Sequence, residues 1–153
     1  MGNDTAYNRA NNAVTITGGA GKDSIRNVDS ERVSIMAGAD ADFIHDTYSE
    51  HTTILAGAGD DRVTVGSITS ERSNYDFIDL GAGNDYFQTN SGYGTVTGGM
   101  GDDIISLKGY SYNSYIVYTE GDGNDTITGF YASDTLGVDA ANYSTVTSDS
   151  DLI

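Results

Sequence analysis

The chain has 153 residues, of which 23 are Asp or Glu and 7 are Lys or Arg, giving a formal charge of −16. This charge disfavours binding to nucleic acid or anionic lipid, since both partners are negative. Cysteine is absent, which excludes disulfides and thiolate metal sites. No segment approaches the ~20 apolar residues that span a bilayer, and the N-terminus lacks a signal-peptide pattern. We therefore expect neither nucleic-acid binding nor membrane insertion.

A short glycine-rich turn that closes with aspartate recurs along the whole chain. In chain order the copies read GND, GGAGKD, AGADAD, AGAGDD, LGAGND, GGMGDD and EGDGND. Their closing residues are Asp4, Asp23, Asp42, Asp61, Asp85, Asp103 and Asp125, at steps of 19, 19, 19, 24, 18 and 22 residues. A period near 20 residues predicts a solenoid.

Two apolar columns accompany the turns. Two residues after the aspartates stand Ile25, Ile44, Val63, Phe87, Ile105 and Ile127; seven before them stand Ile16, Ile35, Ile54, Ile78, Val96 and Tyr118. Because side chains alternate along a strand, these columns predict one strand entering each turn and one leaving it. The predicted fold is an all-β parallel β-solenoid of about seven coils with two short strands each. We expect the additional residues of the longer steps opposite the glycine turns, which keeps the glycine side in register.

Turns in register place the closing aspartates in a single file, which is repulsive when empty and attracts a divalent cation. Calcium fits, because it accepts 6 to 8 oxygen ligands in irregular geometry, whereas magnesium demands a near-octahedral site. We predict up to six calcium ions between neighbouring turns, held by the seven closing aspartates and by turn carbonyl groups. The predicted carbonyl ligands are those of Gly19, Gly21, Gly38, Gly57, Gly59, Gly81, Gly83, Gly99, Gly101, Gly121 and Gly123.

Several copies carry a longer motif. GGAGKDSI, AGAGDDRV, LGAGNDYF and GGMGDDII resemble the calcium-binding RTX (repeats-in-toxin, haemolysin-type) repeat, GGxGxDxUx with U apolar. The resemblance covers about residues 2–138. It implies that residues 1–138 form a module that folds on binding calcium and belongs to a secreted or surface-bound bacterial protein. Residues 139–153 would then be a capping or truncated segment. By the same resemblance, export is by type I secretion and the location is extracellular.

The sequence also departs from this family. The usual RTX roll repeats every 9 residues and carries calcium turns on both sides, whereas here the step is about 19 and the opposite loops lack the motif. We therefore expect one calcium row. Asp40 replaces a turn glycine, which requires an aspartate in the left-handed conformation. Lys22 places a cation beside the row, and the truncated first copy makes the Asp4–Asp23 gap the least certain.

Two alternative interpretations concern the turns themselves. The aspartates and asparagines of a metal-free solenoid also close turns, and such a protein would be indifferent to chelator. The long step also resembles an ice-binding adhesin segment whose turns present a threonine array. That array is missing here, since the corresponding residues are Ala20, Ala39, Ala58, Ala82, Met100 and Asp122.

Two surface features suggest a partner. The Ser-Glu-Arg/His repeat contains Glu31, Glu50 and Glu71, and a tyrosine cluster includes Tyr110, Tyr112 and Tyr115. The Ser-Glu-Arg/His repeat favours either a solvated edge or a contact strip for a surface protein. The tyrosine cluster favours either an end cap of the solenoid or a platform that binds a glycan. Together they leave open a calcium-dependent adhesin or carbohydrate-binding module, although the negative charge and the lack of a basic groove argue against a polyanionic ligand.

No arrangement of nucleophile, base and orienting group is visible, and no zinc motif is present, so we expect no enzyme activity. His45 and His51 are expected to be surface residues. The apolar finish at Leu152 and Ile153 suggests a piece of a longer polypeptide.

Overall fold

The computed structural model describes residues 2–66, 75–92, 94–110, 113–119 and 121–139. Within these ranges the chain forms fourteen strands arranged as two seven-stranded parallel sheets. The predicted all-β parallel solenoid is confirmed.

The odd-numbered strands form one sheet in the order β1-β3-β5-β7-β9-β11-β13. Their bounds are Thr5–Arg9, Ser24–Val28, Phe43–Thr47, Arg62–Gly66, Tyr86–Ser91, Ile104–Tyr110 and Thr126–Thr128. The even-numbered strands form the other sheet in the order β14-β12-β10-β8-β6-β4-β2. Their bounds are Thr15–Ala20, Ser34–Ala39, Thr53–Ala58, Phe77–Ala82, Thr95–Met100, Tyr115–Thr119 and Thr135–Asp139. Each even strand from β2 to β10 leads through a glycine turn into the next odd strand. The described connections from odd to even strands, such as residues 48–52 between β5 and β6, lie on the opposite side and form the far corners.

The core is the narrow space between the two sheets. Equivalent residues of successive coils pair directly, as Ile25 does with Ile44 and Ile35 with Ile54. The inward side chains of the middle coils are buried on both sheets, whereas those of the end coils are partly buried. The largest buried side chains include Ile25, Ile35, Ile44, Ile54, Phe87 and Ile105. Each coil therefore contributes only a few apolar side chains, and burial of any one depends on the coils above and below it.

The predicted register holds across the longest step and fails at the last glycine turn. Gly57 pairs with Gly81 across the 24-residue step, so the glycine turns on either side of it stay in register. Residues 67–74, where the sequence analysis expects the additional residues, lie outside the described part of the chain. In the last coil Ile116, not Tyr118, pairs with Val96. The assignment of Tyr118 to the inner column was therefore wrong, because part of the 22-residue step is inserted between β12 and the last glycine turn.

Glycine is required where the turns stack. Gly19 and Gly57 both have a positive φ, 114° and 116° respectively. A Cβ on Gly57 would overlap the carbonyl oxygen of Gly38 in the preceding coil, whereas a Cβ on Gly19 meets nothing within 4 Å. The two positions therefore separate the conformational role of glycine from its role in close packing.

We predict that Gly57→Ala destabilises the folded chain more than Gly19→Ala. Both substitutions force alanine into left-handed backbone, which costs ~1–2 kcal/mol. Only Gly57→Ala also drives a methyl group into the neighbouring backbone, which adds about 1–3 kcal/mol. Urea unfolding in saturating calcium measures the difference, and equal losses in the two variants would show that the close packing of successive turns is unimportant.

Candidate metal centre

The closing aspartates form a continuous hydrogen-bonded ladder inside the glycine turns. The backbone N–H of Asp23 donates to Oδ1 of Asp42 at 2.7 Å, and the N–H of Asp42 donates to Oδ1 of Asp61 at 2.7 Å. The same link joins Asp4 to Asp23, Asp61 to Asp85, Asp85 to Asp103 and Asp103 to Asp125 at 2.7–3.0 Å. The predicted single file of aspartates is thus present in the fold, with one carboxylate oxygen of each link committed to the preceding coil.

The other carboxylate oxygen is buried and has no hydrogen-bond partner. This holds for Oδ2 of five residues, Asp23, Asp42, Asp61, Asp85 and Asp103. Their side chains are at most 3% exposed. A buried acceptor without a donor costs stability, and a charged one costs more. Five orphaned oxygens at equivalent positions are therefore the feature of this turn that a bound cation would compensate.

The pKa values of the row reflect the free-energy cost of burying these carboxylates. Burial raises the pKa of Asp61 to about 6, of Asp85 to about 7 and of Asp125 to about 6. The backbone hydrogen bond from the preceding coil lowers each pKa, and neighbouring aspartates raise it. Burial also raises the pKa of Asp42 and Asp103. Without a cation the row therefore resists ionisation.

The oxygen donors converge most clearly around Gly98. A Cβ on this glycine would lie 2.6 Å from Oδ2 of Asp103 and 3.2 Å from Oδ2 of Asp125, so carboxylate oxygens from successive coils approach one point. A Cβ on Gly18 would likewise meet the carboxylate of Asp23 and lie 2.5 Å from the carbonyl oxygen of Ala37. Both cradles offer only hard oxygen donors, which suit calcium.

The gaps along the row are not equivalent. Gly18 and Gly98 leave space beside their aspartates, whereas buried side chains stand at the same position in other coils, namely Ala37, Ala56 and Leu80. Among the residues the structure describes, no group of three Asp, Glu, His or Cys side chains could hold a metal ion. A site in this row must therefore combine one or two carboxylates with carbonyl oxygens, and the predicted glycine carbonyl ligands stay a prediction.

The ends and irregular positions of the row differ from its middle. Asp4 is exposed and Asp125 is half-buried, whereas the five aspartates between them are buried. Asp40 takes the left-handed conformation with φ of 74°, and its carboxylate accepts a hydrogen bond from the N–H of Gly21 at 3.2 Å. Lys22 is exposed at the rim of its turn.

A second ladder, which the sequence analysis missed, runs along the outside of the turns. The N–H of Asn84 donates to Oδ1 of Asp60, and the N–H of Asp102 donates to Oδ1 of Asn84, both at 2.9 Å. Lys22 donates in the same way to Asn3, and Asn124 to Asp102. The signal was the Asn or Asp that directly precedes most closing aspartates, and it is interrupted at Lys22 and Ala41.

The described residues of the predicted partner surface lie in two separate parts of the fold. Glu31 and Glu50 stack through isolated β-bridges at the far corners and line a cavity of ≈ 350 Å³. Tyr115 lies on the outer face of β12 and is 43% exposed. Tyr112, Glu71 and the side chain of Tyr110 lie outside the described part of the chain.

The fold and the row together define a class, the parallel β-solenoid with stacked glycine–aspartate turns. The family model for the RTX calcium-binding nonapeptide repeat matches residues 13–26, 51–67, 79–109 and 121–142, in four copies that cover more than half of the chain. The chain therefore belongs to the RTX calcium-binding repeat family and is a calcium-binding structural module. The comparisons found no match among curated proteins or solved structures.

We predict opposite pH dependences of stability without and with calcium. The raised pKa values mean that the calcium-free folded chain keeps protons that the unfolded chain releases between about pH 4 and pH 7. Its stability is therefore greatest at the acidic end of this window and falls as the pH rises. In calcium, protons compete with the ion for the same oxygens, so acidification lowers stability.

The folded fraction by far-UV circular dichroism in chelator at pH 5 and pH 7.5 measures the first dependence, and urea unfolding in calcium at the same two pH values measures the second. Asp85→Asn should flatten the calcium-free dependence, because asparagine cannot ionise. Asp79→Asn, an outward-facing charge on the same coil, is the matched control. A calcium-free chain that gains stability as the pH rises would contradict this account of the row.

Proposed function

We propose that calcium binding to the aspartate row folds this module, which serves as a structural element of a secreted or surface-bound bacterial protein. The observation that carries the proposal is the set of five buried Oδ2 atoms without partners in successive turns. Each belongs to a carboxylate that the preceding coil already holds in place through Oδ1. The row is therefore oriented for a ligand that approaches Oδ2.

The charge of the chain supports coupling between binding and folding. At −16 the chain repels itself, and six calcium ions would supply twelve positive charges next to the buried carboxylates. The thin core offsets little of the conformational entropy that folding costs. Calcium affinity for the ordered row therefore adds directly to folding stability, as it does in other metal-dependent domains.

The same coupling suits an exported protein. A chain that stays unfolded at low calcium and folds where calcium is abundant passes through an export channel before it acquires structure. The support for this location is the membership of the repeat family, whose members are typically secreted bacterial proteins. No helix within the described ranges has the length and apolar character needed to cross a membrane. The role proposed for the module is structural rather than catalytic.

We predict that at pH 7.5 the chelator-stripped chain is disordered by far-UV circular dichroism and acquires a β spectrum on titration with calcium, but not with equal magnesium. Asp85→Asn should raise the calcium midpoint by about tenfold or more, since ligand charge tunes calcium affinity over several orders of magnitude. Asparagine can still accept the hydrogen bond from the N–H of Asp61, so the change tests Oδ2 and its charge.

Asp79→Asn removes the same charge from the outer face of the same coil and should leave the calcium midpoint nearly unchanged. A β spectrum that persists in chelator would overturn calcium-coupled folding and support the metal-free alternative. Equal shifts in the two variants would show that only total charge matters.

A second candidate function, recognition of an acidic glycan by an adhesin or carbohydrate-binding module, is supported by the outer face of the odd-strand sheet. The sequence analysis expected no basic groove and did not identify the basic residues of this sheet face. Its outward residues include four of the seven basic side chains, Arg9, Arg26, Arg62 and Lys108, and none of the outward positions in the described strands is acidic. Arg62 lies over the ring of Tyr86 at 4.3 Å, and Phe43 is 42% exposed.

The dimensions of this face favour a narrow, linear ligand. Seven strands spaced about 4.8 Å apart, with about five residues rising ~3.3 Å each, give a face of roughly 30 by 16 Å. This area is below the ~800 Å² that each partner of a standard protein complex contributes. Arginine forks bind carboxylates, and exposed rings stack on sugars, so an acidic polysaccharide chain fits the residues present.

We predict that hyaluronan oligosaccharides bind the calcium-folded chain, with an affinity that falls as salt increases. A double Arg26→Ser and Arg62→Ser variant should bind about tenfold more weakly, because each exposed charge pair contributes up to about 1 kcal/mol. The matched control changes Lys22 and Arg32, which lie elsewhere, to serine. Isothermal titration calorimetry distinguishes the variants, and equal weakening in both would reject this face as the binding surface.

A further inference from the structure

The far corner between β5 and β6 contains polar side chains that the calcium row does not use. Asp46, Ser49 and Thr52 are 1%, 2% and 1% exposed, whereas polar residues of a connecting loop are usually in contact with water. Asp46 ends the inward face of β5, and Thr52 precedes β6, so the two face each other across the corner. This corner is on the opposite side of the solenoid from the glycine turns.

A directed chain of hydrogen bonds ends at Asp46. The side-chain amide of Asn8 donates to Oδ1 of Asn27 at 2.7 Å, and the amide of Asn27 donates to Oδ1 of Asp46 at 2.8 Å. The next residue in this inner column is Val65, which offers no donor. Oδ2 of Asp46 is buried and has no hydrogen-bond partner. The polar column therefore stops at an acceptor that nothing satisfies.

Thr52 presents a second unsatisfied oxygen at the same corner. Its hydroxyl Oγ1 is buried and has no hydrogen-bond partner. Its backbone N–H donates to Oδ1 of Asp76 in the next coil at 2.8 Å, and Asp76 is 5% exposed. This link repeats the geometry of the glycine-turn ladder, in which a backbone N–H holds one carboxylate oxygen of the following coil.

No ion pair within the described ranges joins a lysine or arginine to the two carboxylates of this corner, and His45 is the cationic group whose charge lowers the pKa of Asp46. The only ion pair in these ranges joins Arg32 and Glu31, both of which are well exposed. Burial raises the pKa of Asp46, while the nearby Ser49, Thr52 and Asn27 side chains lower it. Burial, with a smaller contribution from the negative charges of Asp46 and Glu50, raises the pKa of Asp76 to about 8, although the backbone hydrogen bond from Thr52 lowers it. Either a bound cation or a proton would lower the free-energy cost of burying these two carboxylates.

We propose that this far corner binds one additional calcium ion, outside the glycine-turn row, through Asp46 Oδ2, Thr52 Oγ1 and the Asp76 carboxylate. These are hard oxygen donors, and two of them are buried and uncommitted. The ion would join coils that the longest loop separates, since Thr52 and Asp76 are 24 residues apart. The inference rests on the proposed function, because the corner exists only when calcium folds the solenoid.

Thr52→Val provides the sharpest test, because the same column already holds a buried valine, Val33, in the preceding coil. Valine therefore fits the space. If the hydroxyl binds calcium, the variant should bind one fewer ion by equilibrium dialysis against radioactive calcium. If the hydroxyl is merely unsatisfied, valine should stabilise the fold and leave the ion count unchanged, which would overturn the proposal.

Asp46→Asn distinguishes a bound cation from a bound proton at this corner, because asparagine resembles a protonated aspartate. Loss of one ion, with a higher calcium midpoint for folding, supports the proposed site. An unchanged ion count with greater stability at pH 7.5 shows that a proton occupies the corner and overturns it. Asp79→Asn is the charge control and should lose no ion.

The outcomes also separate this inference from the proposed function. Calcium-dependent folding of the wild-type chain, with equal ion counts in wild type and both corner variants, rejects the corner site alone. A wild-type chain that binds no calcium rejects both.

Discussion

The structure depends on carboxylates that are fixed by backbone hydrogen bonds before any ligand is considered. Each closing aspartate uses Oδ1 to accept the N–H of the preceding coil, so the row cannot turn outward without breaking a link between coils. The chain thereby places negative charge in a water-excluded position and leaves it uncompensated by protein groups. A bound cation removes this penalty, so the same feature that destabilises the empty fold stabilises the loaded one.

The glycines and the outer Asx ladder make this arrangement geometrically feasible. Turns can stack at strand spacing only if no Cβ stands between them, as the overlap expected at Gly57 illustrates. The outer ladder runs in the opposite sense to the inner one, since Asn84 donates its N–H to Asp60 whereas Asp61 donates to Asp85. The turn is therefore held from both sides, and its position does not depend on the ion alone.

Much of the fold and of the aspartate row could be predicted from the sequence, because a repeat converts one local pattern into a global arrangement. The spacing of the closing aspartates and the column containing Ile25 and Ile44 were sufficient for the solenoid and its inner faces. The prediction failed at Tyr118, since counting back from Asp125 assumes that inserted residues lie only at the far corner. The far-corner carboxylates Asp46 and Asp76 were also missed, because no repeated motif marks them and their burial follows from stacking.

The glycine turns and the far corners differ in how buried polar groups recur from coil to coil. At the glycine turns the unsatisfied carboxylate recurs in five coils, so ions bound between these turns would share aspartates with their neighbours. At the far corners the polar column changes from Asn8 and Asn27 to Asp46 and then becomes apolar at Val65. Cooperativity along the chain must therefore come mainly from the glycine side, where every coil depends on the charge state of its neighbours.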